Sequence, residues 1–343
     1  MTYDGAMSTE GRIAIVVPCH NEANTIGAVV ERFQRELRGA TVVVVDNASS
    51  DGTAVAARAA GARVIHESAL GKGAAVRRLF ADVDADYYVL IDGDDTMDPQ
   101  IAPEMVRLVS EEGYDMVVGR RITDPAEPEV YRRGHRFGNT FMTWVFQKLF
   151  KLQISDSLSG YRVMSRRFVK SFPASAVGFE IEVDLNAHAA VMRVPVCEID
   201  AMYVPRPAES SDAKLSTFSD GLRILRRNLR LFRDARPSFA FTLLALPWFA
   251  LAAVMVGLSF DEFLKNGEVI RSPRLLVGIG AFLGAVLLWI AGIILERIAR
   301  NRNEVVRLAY LAMDGPVNER PTFVSVPSPS AERSQGYQHS RPA

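Results

Sequence analysis

Between Arg12 and about Ser210 the chain switches repeatedly between two hydrophobic periods. Ile13–Val17, Thr41–Val45, Arg63–Ile65, Tyr87–Ile91 and Met116–Val118 are short runs rich in β-branched residues and read as strands. Spacing of three and four predicts helices between them, near Asn24–Leu37, Thr53–Ala60, Lys72–Ala81 and Pro99–Glu111. Strands that are apolar almost throughout must be covered on both faces, so the alternation predicts an α/β domain around a mostly parallel sheet. Such sheets bind ligands at the carboxyl ends of their strands. Polar residues collect there: Asn21 and Glu22 after the first strand, Asp46 and Asn47 after the second, Asp92 to Asp95 after the fourth.

The pattern changes beyond this region. Ser238–Phe260 and Leu275–Leu295 contain no charged residue, and each is long enough to cross a hydrocarbon core of about 30 Å. Two buried helices of a soluble protein would also fit, but both runs are apolar all round rather than on one stripe. Lys214 to Arg236 carries seven basic residues against two acidic ones, and Arg297, Arg300, Arg302 and Arg307 follow the second run. The positive-inside rule then predicts a hairpin anchor with both termini cytoplasmic. Within the basic stretch, Phe218, Leu222, Leu225, Leu229 and Phe232 recur at helical spacing, which predicts an amphipathic helix in the headgroup layer.

These shifts divide the chain into a polar N-terminus at 1–11, an α/β domain at 12–212, a basic interface helix at 213–236, two spans within 237–296, and a basic segment with a Pro- and Ser-rich tail at 297–343. The first 11 residues lack the apolar stretch of a secretory signal. Forty basic and 40 acidic side chains give a formal net charge of zero, which argues against a generally basic nucleic-acid binder. Two cysteines, Cys19 and Cys197, cannot build a disulfide framework.

Two common phosphate-binding loops are missing. The first strand runs into Pro18-Cys19-His20-Asn21-Glu22 rather than a Gly-x-Gly-x-x-Gly. Gly71-Lys72-Gly73 is not a P-loop, because His66 stands at the first glycine position and Gly73 where Ser or Thr would be. The most informative segment is Val89-Leu90-Ile91-Asp92-Gly93-Asp94-Asp95-Thr96-Met97-Asp98-Pro99. Asp98 reads as a helix N-cap before a first-turn proline. Asp92 and Asp94 have no such structural explanation. Two carboxylates held about 4 Å apart repel by about 4 kcal/mol at an effective dielectric of 20. A divalent cation with oxygen ligands, Mg²⁺ or Mn²⁺, would relieve that repulsion, whereas a solvated acidic turn would need none. Asp46 at a strand end could accept hydrogen bonds from a base or ribose, and Lys72 at a helix start could reach a diphosphate. Asp51 reads as a turn or cap residue.

Val17-Pro18-Cys19-His20-Asn21-Glu22, Val45-Asp46-Asn47-Ala48-Ser49-Ser50-Asp51-Gly52-Thr53, Asp92-Gly93-Asp94 and Ser159-Gly160-Tyr161-Arg162 together resemble the family-2 glycosyltransferases. The nearest branch in appearance is that of the dolichol-phosphate mannosyltransferase-like, polyprenyl-phosphate glycosyltransferases. The likeness covers about residues 12–236. It implies a GT-A fold, a nucleotide-sugar donor of the GDP-mannose or UDP-glucose type, and inversion at the sugar carbon. By the same resemblance Pro18, Asn21, Glu22 and Asp46 would line the nucleoside pocket, with Lys72 near the donor. Asp92 and Asp94 match the family's Asp-x-Asp, Asp94 as principal metal ligand, and Thr96 stands where relatives often carry a glutamine ligand. Arg121 and Arg133 match positions that hold the acceptor phosphate, with Ser159 nearby. Arg206 and Lys214 match late basic residues over the diphosphate. His20 and Asn47 depart from the commoner Tyr and Asp, which leaves the choice between uridine and guanosine open.

The expected reaction transfers a hexose to a polyprenyl phosphate, undecaprenyl or dolichyl, at the cytoplasmic face of the cell membrane, with Mg²⁺ or Mn²⁺. Asp92, Asp94, Arg121 and Arg133 are the expected catalytic set, and homo-oligomers are compatible with glycines on the second span. A processive polysaccharide synthase of the same superfamily would carry Gln-x-x-Arg-Trp, and no tryptophan here follows an arginine. A membrane-anchored nucleotide-sugar-binding protein without catalysis is the non-enzymatic alternative.

Overall fold

The computed structural model describes residues 11–122, 147, 154–173, 180–203, 226, 230, 233–234, 236–268, 270 and 272–316. Seven strands form one sheet: β1 (Ile13–Cys19), β2 (Thr41–Asn47), β3 (Arg63–Glu67), β4 (Tyr87–Leu90), β5 (Met116–Ile122), β6 (Arg162–Ser165) and β7 (Val196–Met202). Their spatial order is β3-β2-β1-β4-β6-β5-β7, parallel throughout except for β6, which runs antiparallel to both β4 and β5. The helices are α1 (Ile26–Glu36), α2 (Thr53–Ala59), α3 (Lys72–Asp82), α4 (Ala102–Ser110), α5 (Arg166–Ser171), α6 (Ile181–Met192), α7 (Pro237–Asn266) and α8 (Ser272–Leu311).

Strand residues alternate between two core layers, as the period of two requires. Ala14, Val16, Val43, Val45, Tyr88 and Leu90 pack with α3, α5 and α6. Ile15, Val17, Val42, Val44, Tyr87 and Val89 pack with α1 and α4 on the opposite face. Both faces of β2 are therefore dry, which is why Thr41-Val-Val-Val-Val shows no polar alternation. The expected helix at Pro99–Glu111 begins as a 3₁₀ turn, Pro99–Ile101, whose N-cap Asp98 accepts a hydrogen bond from Gln100 N at 3.0 Å.

β6, β7, α5 and α6 are additions to what the hydrophobic pattern suggested. Of the expected interface helix at 213–236, most positions, and with them its apolar stripe, lie outside the described residues, as do the N-terminal 1–10 and the tail from 317.

α7 and α8 are both long and apolar enough to cross a membrane, and both exceed the uncharged runs. They pack antiparallel through small residues. A β-carbon at Gly292 would lie 2.7 Å from Phe241 Cβ, and one at Gly278 would lie 2.9 Å from a Val256 methyl. Close backbone approach at small residues is how helices associate without a hydrophobic drive. Past the apolar run α8 continues as one helix to the α/β domain. Val306 packs on the core layer, and Tyr310 Oη donates to buried Asp115 at 2.6 Å. Arg167 pairs with the same carboxylate through Nε at 2.7 Å, and its guanidinium lies 4.6 Å from the Tyr310 ring centroid.

His188 sits on α6 against the rings of Phe168 and Phe172, with Ser171 Oγ 3.2 Å from its Nε2. Burial lowers its pKa to about 4, so the folded protein keeps it neutral. The unfolded chain takes up a proton below about pH 6.5 that the folded chain refuses. Stability is therefore expected to fall between pH 6.5 and 4 by about 3 kcal/mol from this group. Thermal unfolding in detergent across that range should show the slope, and His188→Leu should flatten it.

Candidate active site

Strand order reverses between β1 and β4, because β2 and β3 lie on one side of β1 and β4 on the other. This switch point opens a crevice at the carboxyl ends. The segment after β1 and the acidic turn after β4 meet there. A β-carbon at Gly93 would collide with the Glu22 carboxylate and lie 2.5 Å from Cys19 Sγ, so any larger residue in the middle of Asp92-Gly93-Asp94 would displace them. Thr25 Oγ donates to Gly93 O at 2.6 Å and ties α1 to the turn. Four described non-glycine residues have positive φ, and three of them, Asn21, Ala48 and Asp95, follow β1, β2 and β4. A left-handed conformation at Ala48 costs about 1–2 kcal/mol, and such strain concentrates at functional edges.

The two aspartates of the turn have different surroundings. Asp92 Oδ1 is 2.6 Å from Lys72 Nζ, and the same ammonium lies 2.6 Å from Glu182 Oε1 at the start of α6. Glu182 is 3% exposed, and its Oε2 is buried without a hydrogen-bond partner among the described residues. Burial pushes the Lys72 pKa down, but Asp92 and Glu182 outweigh it and hold the ammonium above its usual range. Burial raises the Glu182 carboxyl, and Lys72 offsets that only in part. Asp94 is also buried and accepts from Thr96 Oγ at 2.7 Å. Asp95 pairs with Arg32 at 2.6 Å. Among the described residues no group of three or more His, Cys, Asp or Glu forms a metal cage. The turn itself offers two carboxylates and, at Thr96, a hydroxyl.

A loop from Asp156 to Gly160 joins this turn to the end of β5. Arg121 donates to Asp156 through Nε at 2.7 Å and Nη2 at 2.8 Å, a bidentate pair that fixes the guanidinium plane. Glu198 on β7 caps the loop, accepting from Ser155 N and Asp156 N. At the other end, a β-carbon on Gly160 would lie 2.6 Å from Asp92 Oδ2 and 3.0 Å from Lys72 Nζ. Ser159, expected beside the acceptor phosphate, is fully buried. Its hydroxyl donates to Gly119 O at 2.6 Å and accepts from Tyr161 N at 3.2 Å, so it fastens the loop to β5. Arg162 is fully buried beneath, donating to Ser159 O at 2.9 Å and Asn186 Oδ1 at 2.5 Å. Burial pulls its pKa down to about 10, with Glu182 opposing, which still leaves it cationic near neutrality.

On the β1–β3 side, register aligns Cys19 with Asp46 and Asp46 with His66. Asp46 Oδ1 accepts from Ser49 N at 3.2 Å, and Oδ2 lies 3.1 Å from His66 Nδ1. Pro18 is a buried strand residue opposite Val45. Asn21 Oδ1 accepts from Ser50 N, and Glu22 N donates to Thr53 Oγ, so the segments after β1 and β2 brace each other. Asp51 binds Ala23 N and Thr53 N, in keeping with a turn role. Asn47 turns away from the crevice. Its amide donates to Glu67 O and Ala69 O and accepts from Gly71 N, which pins the loop leading to Lys72. An aspartate there could accept only one of the three bonds. His20 Nδ1 lies 2.7 Å from the Asn47 carbonyl.

Asp92, Asp94, Thr96, Glu22, Asp46, Asn21, Lys72, Arg121 and Ser159 thus fall along one edge of the sheet. Arg133, Arg206 and Lys214 lie outside the described residues. Lys72 is held between two carboxylates, a tighter setting than a helix-start lysine suggests. Glu182 was not legible as a site residue. Its only sequence signal is Glu180-Ile181-Glu182-Val183-Asp184, an acidic repeat in a segment otherwise apolar.

The profile of glycosyl transferase family 2 matches residues 14–172. Over 311 residues the chain is 31% identical to glycosyltransferase AglJ of Haloferax volcanii, covering 89% of this chain and all of that protein. It is 30% identical over 224 residues to the dolichyl-phosphate hexose transferase of the same organism, covering 65% of this chain and 95% of the relative. A crystal structure of Mycobacterium tuberculosis glucosyl-3-phosphoglycerate synthase aligns with a TM-score of 0.51 and 24% identity, over 64% of this chain and 80% of that one. That likeness concerns the fold, a GT-A-like, mostly parallel α/β sheet. With a relative matched over its whole length and a family profile on the strands that carry the acidic turn, the chain belongs to glycosyl transferase family 2.

Proposed function

We propose that this glycosyltransferase moves a hexose from a nucleotide sugar to a polyprenyl phosphate at the cytoplasmic face of a membrane, with inversion at the sugar carbon. The observation that carries the reading is the Asp156–Gly160 loop, which touches Arg121 at one end and Asp92 at the other. An anion held by Arg121 and a donor held at the acidic turn would be neighbours in one crevice. The relative named as a dolichyl-phosphate hexose transferase supports the acceptor class. α7 and α8 support a site beside lipid, and the basic residues flanking the apolar runs support the cytoplasmic side.

The charges set the chemistry. A lipid phosphate is already an anion at neutral pH, so no side chain has to remove its proton as a sugar hydroxyl would require. The protein must instead bring two anions together and hold the departing nucleoside diphosphate. Arg121, its plane fixed by Asp156, would bind the acceptor phosphate, together with Arg133. Arg206 and Lys214 would bind the diphosphate, and Asp46, Asn21 and Glu22 would hold the nucleoside. The donor set of the acidic turn fits a divalent cation. Asp94 and Asp92 are hard oxygen ligands too few to cage an ion alone, and Mg²⁺ or Mn²⁺ commonly completes its shell with substrate phosphates and water. Such an ion would supply neutralisation of the leaving diphosphate. Thr96, bonded to Asp94, would orient that carboxylate or offer its own oxygen.

Purified protein with radiolabelled GDP-mannose or UDP-glucose, undecaprenyl phosphate and Mn²⁺ should move label into the organic phase with one of the donors. Label that stays aqueous with every GDP- and UDP-hexose refutes the reading. Asp94→Asn should lower transfer by about 10²–10³-fold in the folded protein, and normal turnover would remove the metal role. Arg121→Lys keeps the charge but loses the fork that meets Asp156 and a phosphate. It should raise the KM for the lipid phosphate about tenfold, with the donor KM unchanged.

A further inference from the structure

Among the described residues Lys72 Nζ has two anionic neighbours at the same distance, but they differ in access. The Asp92 side chain is 27% exposed and faces the crevice, whereas Glu182 is 4% exposed and lies beneath it. Glu182 has a second oxygen, also buried, that accepts from no donor among the described residues. If Asp92 were the one described anion on the ammonium, a cation arriving at the turn would have to draw that partner away, and breaking a buried pair is costly. With Glu182 in place the ammonium keeps an anion when Asp92 turns away, and Glu182 Oε2 gives it a further acceptor.

We infer that Glu182 is a positioning residue that retains Lys72 and so releases Asp92 to a divalent cation. This rests on the acidic turn being the metal site of the proposed reaction. Lys72 is the internal counter-ion of Asp92 before the metal binds, and Glu182 makes their exchange inexpensive. The glycine at 160 belongs to the same arrangement, since a side chain there would press on Asp92 Oδ2 and Lys72 Nζ together. Neighbours that orient a metal ligand typically alter metal affinity by about 10–100-fold.

The test is Mn²⁺ binding in the absence of any donor, read as loss of the free-ion EPR signal, on the full-length protein in detergent. Wild type, Glu182→Gln, Asp94→Asn and the charge-matched double variant Lys72→Met/Glu182→Gln are compared, with thermal unfolding to confirm that each is folded. Glu182→Gln should weaken Mn²⁺ about tenfold, because Lys72 then closes on Asp92. The double variant has no ammonium to compete and should return to within about threefold of wild type, a rescue that a purely structural role would not give. An unchanged Glu182→Gln affinity, or a double variant as weak as the single one, overturns the inference. In that case loss of binding in Asp94→Asn alone leaves the metal site standing. Absence of Mn²⁺ binding to wild type overturns both.

Discussion

One ammonium between two carboxylates ties the acidic turn to the start of α6. Asp92 and Glu182 meet at one ammonium, while Asp94 and Asp95 stand in the same acidic turn as Asp92, and like charges about 4 Å apart repel by several kcal/mol even at an effective dielectric of 20. Each has a named partner: Lys72 for Asp92 and Glu182, Thr96 for Asp94, Arg32 for Asp95. Beneath them Arg162 lies fully buried and adds a second positive charge at the depth of Glu182. A buried pair of this kind is weak evidence for stability, since desolvation offsets much of the attraction, but breaking one partner is costly. The cluster therefore fixes where charge sits more than it strengthens the fold.

Backbone geometry serves the same end. Gly93 approaches the Glu22 carboxylate and Gly160 that of Asp92, and no β-carbon fits at either without moving Asp92, Glu22 or Cys19. The positive φ values of Asn21, Ala48 and Asp95 let three successive strand ends fold back over the crevice. Asn47 contributes from a distance. By binding Glu67 O, Ala69 O and Gly71 N it sets the path of the chain into Lys72. Its departure from the commoner aspartate thus bears on the lysine through the loop.

The first five strands and the helices between them were legible because both faces of the sheet are dry and each run is bounded by turn residues. β6 was not, since it has only four residues and opens on Arg162, a charge that no periodic reading places inside a core. α6 escaped for a related reason. Glu182, Asp184, Asn186 and His188 are all buried, so the helix has no polar face to set against an apolar one. The acidic turn was legible as chemistry because four carboxylates within seven positions are hard to explain otherwise. Glu182 was not, because its meaning comes from Lys72, which is 110 residues away in sequence. Ser159 differs: its motif signalled proximity to the site, while its hydroxyl is engaged by Gly119 O, 40 residues away, and by Tyr161 N.

α8 links this edge to the pair of apolar helices. Forty helical residues extend about 60 Å, roughly twice the hydrocarbon thickness, so a single rigid element spans the apolar run and still reaches the domain. Its far end is fixed by Tyr310, which donates to Asp115 and lies against Arg167, and Asp115 is the residue immediately before β5. The other end of β5 carries Arg121. The seven-residue strand that presents the arginine proposed for the acceptor phosphate is thus held at its base by the helix that carries the apolar span. A strand paired on both sides, with β6 and β7, transmits little bending. Movement of α8 relative to the domain would have to break the Tyr310 bond to buried Asp115 and lift the Tyr310 ring from the Arg167 guanidinium. For the lipid-borne acceptor proposed above, such fixed geometry would replace a search in three dimensions with a defined approach.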